Sequence, residues 1–255
     1  MPMKENTERF SDRVDNYAKY RPGYSEKILG FLNEYNFSAR SIIADVGSGT
    51  GKLAELFLKN GNKTYAVEPN TDMRNMSDSL LTKYDNYVSI NGTAEKTTLG
   101  NASVDFIVVG QAFHWFDAKK TLNEFRRVLK NNGVLVLIWN NRKLNTEFLI
   151  EYDSILKKFS KEYGESSHRN ISDEVIEKYF SADFKKNTID NHQKFNFIEL
   201  MGRFSSGSYT PKEGTDEYQN SYNALKKIFH KYKKSGKIIF NYDTKLFTGR
   251  IHPKT

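Results

Sequence analysis

The sequence predicts an open α/β fold, a mostly parallel sheet with helices on both faces, and three observations carry that reading. Strand-length apolar runs and helix-length amphipathic segments alternate between residues 41 and 139, which is the rhythm of consecutive βαβ units. Ile42 to Val46 runs directly into Gly47-Ser48-Gly49-Thr50-Gly51 and then into an amphipathic stretch from Lys52 to Lys59. That order is a buried strand, a tight glycine turn and a helix start. Val104 to Val109 is almost continuously apolar, as a strand covered on both faces must be.

The elements follow in order. Residues 4–20 place Phe10, Val14 and Tyr17 on one helical face. Arg21 precedes Pro22 and is pushed out of helical geometry, so this helix ends near Tyr20. A second helix is expected over 25–35, with Ser25 as its cap and Ile28, Leu29 and Leu32 as its stripe. Strands at 41–46, 63–68 and 87–90 alternate with helices at 51–60 and 70–83. The strand at 104–109 leads to a helix at 118–130, which Asn131-Asn132-Gly133 is expected to stop. Gly133 then opens a strand to Trp139. Beyond Asn140 the rhythm changes. Residues 145–182 read as a helical cap inserted over the carboxyl edge of the sheet, with Gly164-Glu165-Ser166-Ser167 as a loose point. A strand at 184–196, a short helix at 197–204, a long helix at 213–234 and a strand pair or hairpin at 237–251 complete the chain. The division expected is a helical N-terminal lid (1–40), a ligand-binding α/β core (41–144), the cap (145–182) and a segment that completes the sheet (183–255).

Composition narrows the function. The 255 residues include no cysteine, which removes disulfides, thiolate nucleophiles and cysteine-ligated zinc together. The five histidines, His114, His168, His192, His230 and His252, make no metal-ligand spacing such as H-x-x-x-H, so no metal is expected. No apolar run approaches the roughly 18 residues of a membrane span, and the N-terminus has no signal-like apolar stretch; a cytoplasmic protein is the expectation. The net charge of +8 raises nucleic acid as a partner. The lysines are spread along the chain, however, and the one cluster (Lys226, Lys227, Lys231, Lys233, Lys234 and Lys237) falls on a helix where a solvated face is expected.

The glycine spacing is informative. A dinucleotide fingerprint needs a third glycine at position 52, which is Lys52; the pattern present is G-x-G-x-G. Asp45 stands two residues before it. Glu68 ends the next apolar run, where an acid can accept from both hydroxyls of a ribose. Together these residues resemble the class I S-adenosylmethionine-dependent methyltransferases. Gln111-Ala112-Phe113-His114-Trp115-Phe116-Asp117 and Arg21-Pro22-Gly23-Tyr24 further resemble the small-molecule members of the trans-aconitate methyltransferase type, although Ser25 stands where that group usually has proline. The resemblance is strong over residues 8–140 and faint beyond.

That resemblance implies a Rossmann-like, seven-stranded, mostly parallel sheet with an antiparallel last strand, and S-adenosylmethionine as cofactor. Asp45, Gly47, Ser48, Gly49 and Gly51 are expected around its methionine part and Glu68 at its ribose. Pro69, Met73, Ala94, Glu95 and Gln111 are expected around the base and the donor centre. Tyr17 and Arg21 are expected to close over the cofactor, with Arg21 facing a carboxylate of cofactor or substrate. His114 is the candidate base, and a carboxylate acceptor would need none. Tyr20, His114, Trp115, Trp139, Arg203 and Tyr209 are the candidate acceptor contacts. The expected activity is methyl transfer to a small-molecule oxygen, carboxylate or hydroxyl. The alternatives are an RNA or protein methyltransferase, or a module that binds the cofactor without turnover. A nicotinamide oxidoreductase is disfavoured by Lys52.

Overall fold

The computed structural model describes residues 13–160, 163 and 172–252. Phe10, the start of the first expected helix, the Gly164–Ser167 stretch and His168 lie outside the described residues. Seven strands form one sheet in the order β3-β2-β1-β4-β5-β7-β6. They are β1 (Ile43–Val46), β2 (Thr64–Val67), β3 (Tyr87–Ile90), β4 (Val104–Gly110), β5 (Leu129–Arg142), β6 (Lys185–Phe195) and β7 (Ile238–Gly249). The first five pair in parallel; β7 runs antiparallel to both β5 and β6.

Nine α-helices surround the sheet among the described residues: α1 (Val14–Tyr20), α2 (Lys27–Leu32), α3 (Lys52–Lys59), α4 (Thr71–Leu81), α5 (Ala118–Val128), α6 (Glu147–Phe159), α7 (Asp173–Glu177), α8 (Phe197–Ser205) and α9 (Asp216–Tyr232). Side-chain alternation along the strands divides the core into layers. Ile43, Phe106, Val108, Val136 and Ile138 pack against α2 and α3. Ala44, Val46, Ile107, Val109, Leu135, Leu137 and Trp139 pack against α5 and α7 on the opposite face. A third, aromatic-rich cluster joins α6, α8 and α9 to Phe240 and Tyr242 of β7.

Three boundaries differ from the sequence expectation. Helix α5 stops at Val128, because Leu129 is already extended (φ −67°, ψ 139°). Val104 pairs with Leu129 and Phe106 with Val134, so Lys130 to Gly133 bulge out of the ladder, and Asn131-Asn132-Gly133 interrupts a strand rather than ending a helix. Instead of a terminal strand pair or hairpin, a single 12-residue strand, β7, fills the space between β5 and β6. The 145–182 region also divides: α6 joins the third cluster, while Ile176 of α7 and Phe180 pack on the α5 side. The lysine-rich end of α9 is exposed. No described helix is long and apolar enough to cross a membrane.

Candidate active site

The chain leaves β1 toward α3 on one face and β4 toward α5 on the other. A crevice therefore opens at the carboxyl ends of these neighbouring strands, the place where open α/β sheets bind ligands. Two cavities occupy it. One is lined by Gly49, Glu68, Pro69, Asn70, Met73, Ala94, Glu95, Ala112 and Phe116. The other reaches from Asp45, Ser48, Thr50 and Lys52 past Arg21, Tyr24 and His114 to Arg142, Tyr163, Arg203, Tyr209 and Tyr242. Tyr17, Gly47, Gly110, Gln111 and Trp115 line both, so the two cavities meet at these five residues.

The first cavity is built by local backbone geometry. Gly47 has φ +69°, and a Cβ there would stand 2.7 Å from Cβ of Ala112. Glycine is needed for both the turn and the close approach. Glu68 is buried, and its two oxygens accept from the N–H of Gly49 (2.8 Å) and of Asn70 (2.9 Å). Burial raises its pKa above the ordinary carboxylate value, against these two bonds. Asn70 in turn caps α4, accepting from Met73 N–H at 2.8 Å. Glu95 accepts from Asp117 N–H at 2.9 Å, which ties the β3 loop to the start of α5. Gln111 holds φ +60°, an uncommon conformation for a residue with a Cβ, of the kind that clusters at functional sites.

The second cavity has unanswered polarity. Asp45 is 1% exposed, burial pushes its pKa up to about 8, and neither carboxylate oxygen meets hydrogen-bond geometry with a partner. The Ser48 and Thr50 hydroxyls are also buried and unpaired. A buried polar group without a good partner is costly; the two unpaired hydroxyls, beside a carboxyl group whose contact with the Ala54 N–H does not offset its burial, fit a polar, cationic ligand group. The far wall is basic and phenolic. Arg142 donates to Asp153 and to the Tyr163 hydroxyl, each at 2.6 Å, and stacks over Tyr152 at 4.8 Å. Arg203 lies 3.3 Å from the Ser206 hydroxyl and 3.4 Å from that of Tyr242. Burial opposes its charge, but the phenols of Tyr242, Tyr152 and Tyr209 outweigh it and hold its pKa above the ordinary value.

Residues 44–137 match the methyltransferase-domain family model. An uncharacterized methyltransferase of Schizosaccharomyces pombe is 28% identical over 249 residues, covering 96% of this chain and 97% of that protein. This chain is an S-adenosylmethionine-dependent methyltransferase. Its fold recurs in the YcgJ protein of Bacillus subtilis (TM-score 0.57, 20% identity, 89% of this chain and 100% of that one). It recurs also in phosphoethanolamine N-methyltransferase 2 of Haemonchus contortus in complex with S-adenosyl-L-methionine (TM-score 0.56, 16% identity, 100% of this chain and 60% of that one).

In this methyltransferase most of the residues singled out from sequence gather around the two cavities; three do not. Trp139 shares the strand parity of Leu135 and Leu137 and is buried edge-on against Phe247 (5.6 Å) in the α5 layer. Its neighbour Asn140 faces the cavity instead. Tyr20 packs against α8, where a Cβ at Gly202 would fall within its ring, and is not among the lining residues. Gly51 (φ +80°) starts α3 and lets Ser77 and Leu81 of α4 approach closely; it too lies outside the lining. Tyr24, Lys52, Asn140, Arg142, Tyr163 and Tyr242 line the second cavity and were not among the sequence candidates. Of these, Tyr24 carried a signal as part of the Arg-Pro-Gly-Tyr segment, and Asn140 as part of the Trp139-Asn140-Asn141 strand end, which the sequence also points into the cleft.

Tyr24 also explains Gly110. Its phenol oxygen occupies the place where a Cβ at 110 would stand, with Cζ 3.0 Å away. Gly110→Ala is therefore expected to displace Tyr24 at the junction of the cavities and to lower turnover by about tenfold or more, a size typical of misplaced site groups. Tyr24→Phe in the same chain should recover part of the loss. Steady-state kinetics of the single and double variants check this, and equal activity of wild type and Gly110→Ala would contradict it.

Proposed function

We propose that this methyltransferase moves the methyl group of S-adenosylmethionine to an oxygen of a small acidic acceptor. The observation that carries the reading is the meeting of the two cavities at Tyr17, Gly47, Gly110, Gln111 and Trp115, with the far cavity walled by Arg21, Arg142 and Arg203. The cofactor supplies an electrophilic methyl on a cationic sulfur. In this reading Glu68 accepts from the ribose hydroxyls. Pro69, Met73, Ala94 and Glu95 surround the adenine, and Asp45, Ser48 and the backbone from Gly47 to Gly51 take the methionine ammonium end. The faces of Tyr17 and Trp115 suit a cationic centre. The acceptor lies beside His114 and Trp115, with its anionic part toward Arg203, Arg142 and the phenols of Tyr209 and Tyr242. Catalysis is then mainly proximity and alignment. The described part of the N-terminal segment, 13–40, serves as lid through Tyr17, Arg21 and Tyr24, and Tyr163 brings part of the 145–182 region to the wall of the cavity. A cavity walled by three arginines favours a small acid over a nucleic acid or a protein side chain.

The test is formation of S-adenosylhomocysteine and an O-methylated product from a panel of carboxylic acids and phenols, with RNA and unfolded protein as rival acceptors. A carboxylate acceptor is already ionised at neutral pH, so His114→Gln should keep turnover within about tenfold of wild type, less than the span ascribed to a general base. Turnover on RNA or protein and none on small acids would overturn the reading.

A further inference from the structure

The N-terminal segment is fastened to the turn after α8 by two arginines. Arg13, buried, donates to the carbonyls of Ser205 and Gly207 and to both oxygens of Thr210. Arg21, just past the end of α1, donates from Nη2 to the Ser206 carbonyl at 2.8 Å and lies over the Tyr17 ring at 5.0 Å. Arg203, from α8, holds the same residue by its hydroxyl at 3.3 Å. Two guanidinia thus converge on Ser206, one from the N-terminal segment and one from α8, and both line the second cavity. Neither makes an ion pair with a carboxylate among the described residues. The Arg21 Nε is buried and unpaired. Burial, and after it the charge on Arg203, lowers the Arg21 pKa from its ordinary value.

Like charges meeting in a site poor in water oppose the arrangement that brings them together. The arrangement here is the docking of α1 on α8. A planar, bidentate anion answers the pattern, because each guanidinium presents a fork of donors matched to a carboxylate. We propose that Arg21 and Arg203 clamp one carboxylate between them and that this anion holds the N-terminal helix shut over the active site. The inference rests on the methyl-transfer reading for the source of the carboxylate, which is either the methionine end of the cofactor or the acceptor itself. It goes beyond that reading because it makes closure depend on a ligand's charge. A ligand that fills the adenine cavity and lacks a carboxylate leaves the helix free to open, and the methyl donor is sealed from water only when the anion is in place. A closed state stabilised through differential contacts with one ligand group is a population shift.

Amide hydrogen exchange over residues 14–21 tests it, read on the wild-type chain alone, with S-adenosylhomocysteine, with 5′-methylthioadenosine (the same nucleoside without the carboxylate), and with 5′-methylthioadenosine plus malonate. The Arg21 N–H, bonded to the Tyr17 carbonyl at 3.2 Å, is a convenient reporter. Exchange is expected to slow by roughly tenfold or more when a carboxylate is present and to change little with 5′-methylthioadenosine alone. Protection by S-adenosylhomocysteine assigns the anion to the cofactor; protection that appears only with malonate assigns it to the acceptor. Arg203→Met, which removes the opposing charge at similar volume, should slow exchange over 14–21 with no ligand present. Arg203→Gln should do the same while keeping a hydrogen bond to Ser206. Calorimetric binding of S-adenosylhomocysteine separates the two readings. Binding without protection by it or by malonate overturns the clamp and leaves the cofactor assignment standing, whereas absent binding overturns the assignment. The Arg203 variants test the clamp in either case: exchange as fast in both as in wild type, from folded samples, refutes it.

Discussion

Glu68→Ala is expected to weaken the binding of S-adenosylmethionine and S-adenosylhomocysteine by about a hundredfold or more, the loss of two charge-assisted hydrogen bonds at about 1.5–3 kcal/mol each. In the proposed cofactor pose the carboxylate is the hinge of the cavity lined by Gly49, Pro69 and Met73. It accepts from the N–H of Gly49 in the glycine turn and from that of Asn70 at the start of α4, and each oxygen keeps a further lone pair for a ribose hydroxyl. Alanine removes the ribose acceptors and leaves two N–H groups of the cavity wall unanswered, so the turn between β1 and α3 loosens as well. Glu68→Gln keeps the volume but turns an amide donor toward one of those N–H groups, and should fall between. Calorimetric titration of the three proteins, with NAD as a control ligand, reads the effect directly. Affinity within threefold of wild type in Glu68→Ala would mean that the ribose does not sit at the tip of β2.

The second large effect concerns stability. The Arg142 and Asp153 side chains are 7% and 3% exposed and 2.6 Å apart. Asp153 also accepts from Tyr163 and pairs with Lys157 at 2.9 Å. Removing the carboxylate takes away the negative charge 2.6 Å from the Arg142 guanidinium and leaves it its contacts to Tyr163 and Tyr152, and breaking a buried pair in this way costs about 3–5 kcal/mol. In a chain of this size Asp153→Ala should therefore lower the thermal midpoint by roughly 10 °C. Arg142→Met/Asp153→Leu, which removes both charges, should restore much of it while abolishing the contact to Tyr163. Burial opposes the Asp153 charge, but Tyr163, Lys157 and Arg142 outweigh it, and its pKa lies below the ordinary value. The stabilisation is thus complete above the unfolded-state carboxyl pKa near 4 and is lost as pH falls through the lower folded value. Wild type and Asp153→Ala should differ fully at pH 7 and converge below about pH 4. A constant difference down to pH 3 would show that the charge on Asp153 is not what stabilises the fold.

The gathering of the glycine turn, Glu68 and the Gln111–Trp115 run around one crevice was legible because its determinants are local. The glycine turn, Glu68 at the tip of β2 and the Gln111–Trp115 run after β4 each sit at the end of a strand that the apolar pattern marks. The parallel alternation then carries all three ends to one edge of the sheet. The far cavity was only half legible. Arg142, Tyr163, Arg203, Tyr209 and Tyr242 come from β5, the region after α6, α8 and β7, and no spacing in the chain announces that they converge. Trp139 shows the limit of reading strand ends: one residue of parity separates the cavity from the core, and Asn140, not Trp139, has the parity that faces the cavity. Gly51 and Tyr20 show a second limit, since both belong to a motif yet serve close helix packing against α4 and α8. The single β7 was missed for a related reason. The alternation over 238–249 states that a strand exists, but not that it is inserted between β5 and β6.

The fastening of Arg13 to the turn after α8 spans 192 to 197 residues of sequence. A ribosome adding about 5–20 residues per second makes the partner of this arginine roughly 10–40 s after the arginine itself. The β1–β4 half of the sheet, with the glycine turn and Glu68, is synthesised well before that moment. The residues that line the Glu68 cavity are therefore made before the residues that fasten the N-terminal segment, and the partner strand of β5, β7, is made after both. A chain arrested before the turn at 205–210 would carry the Glu68 cavity residues without the partners of Arg13.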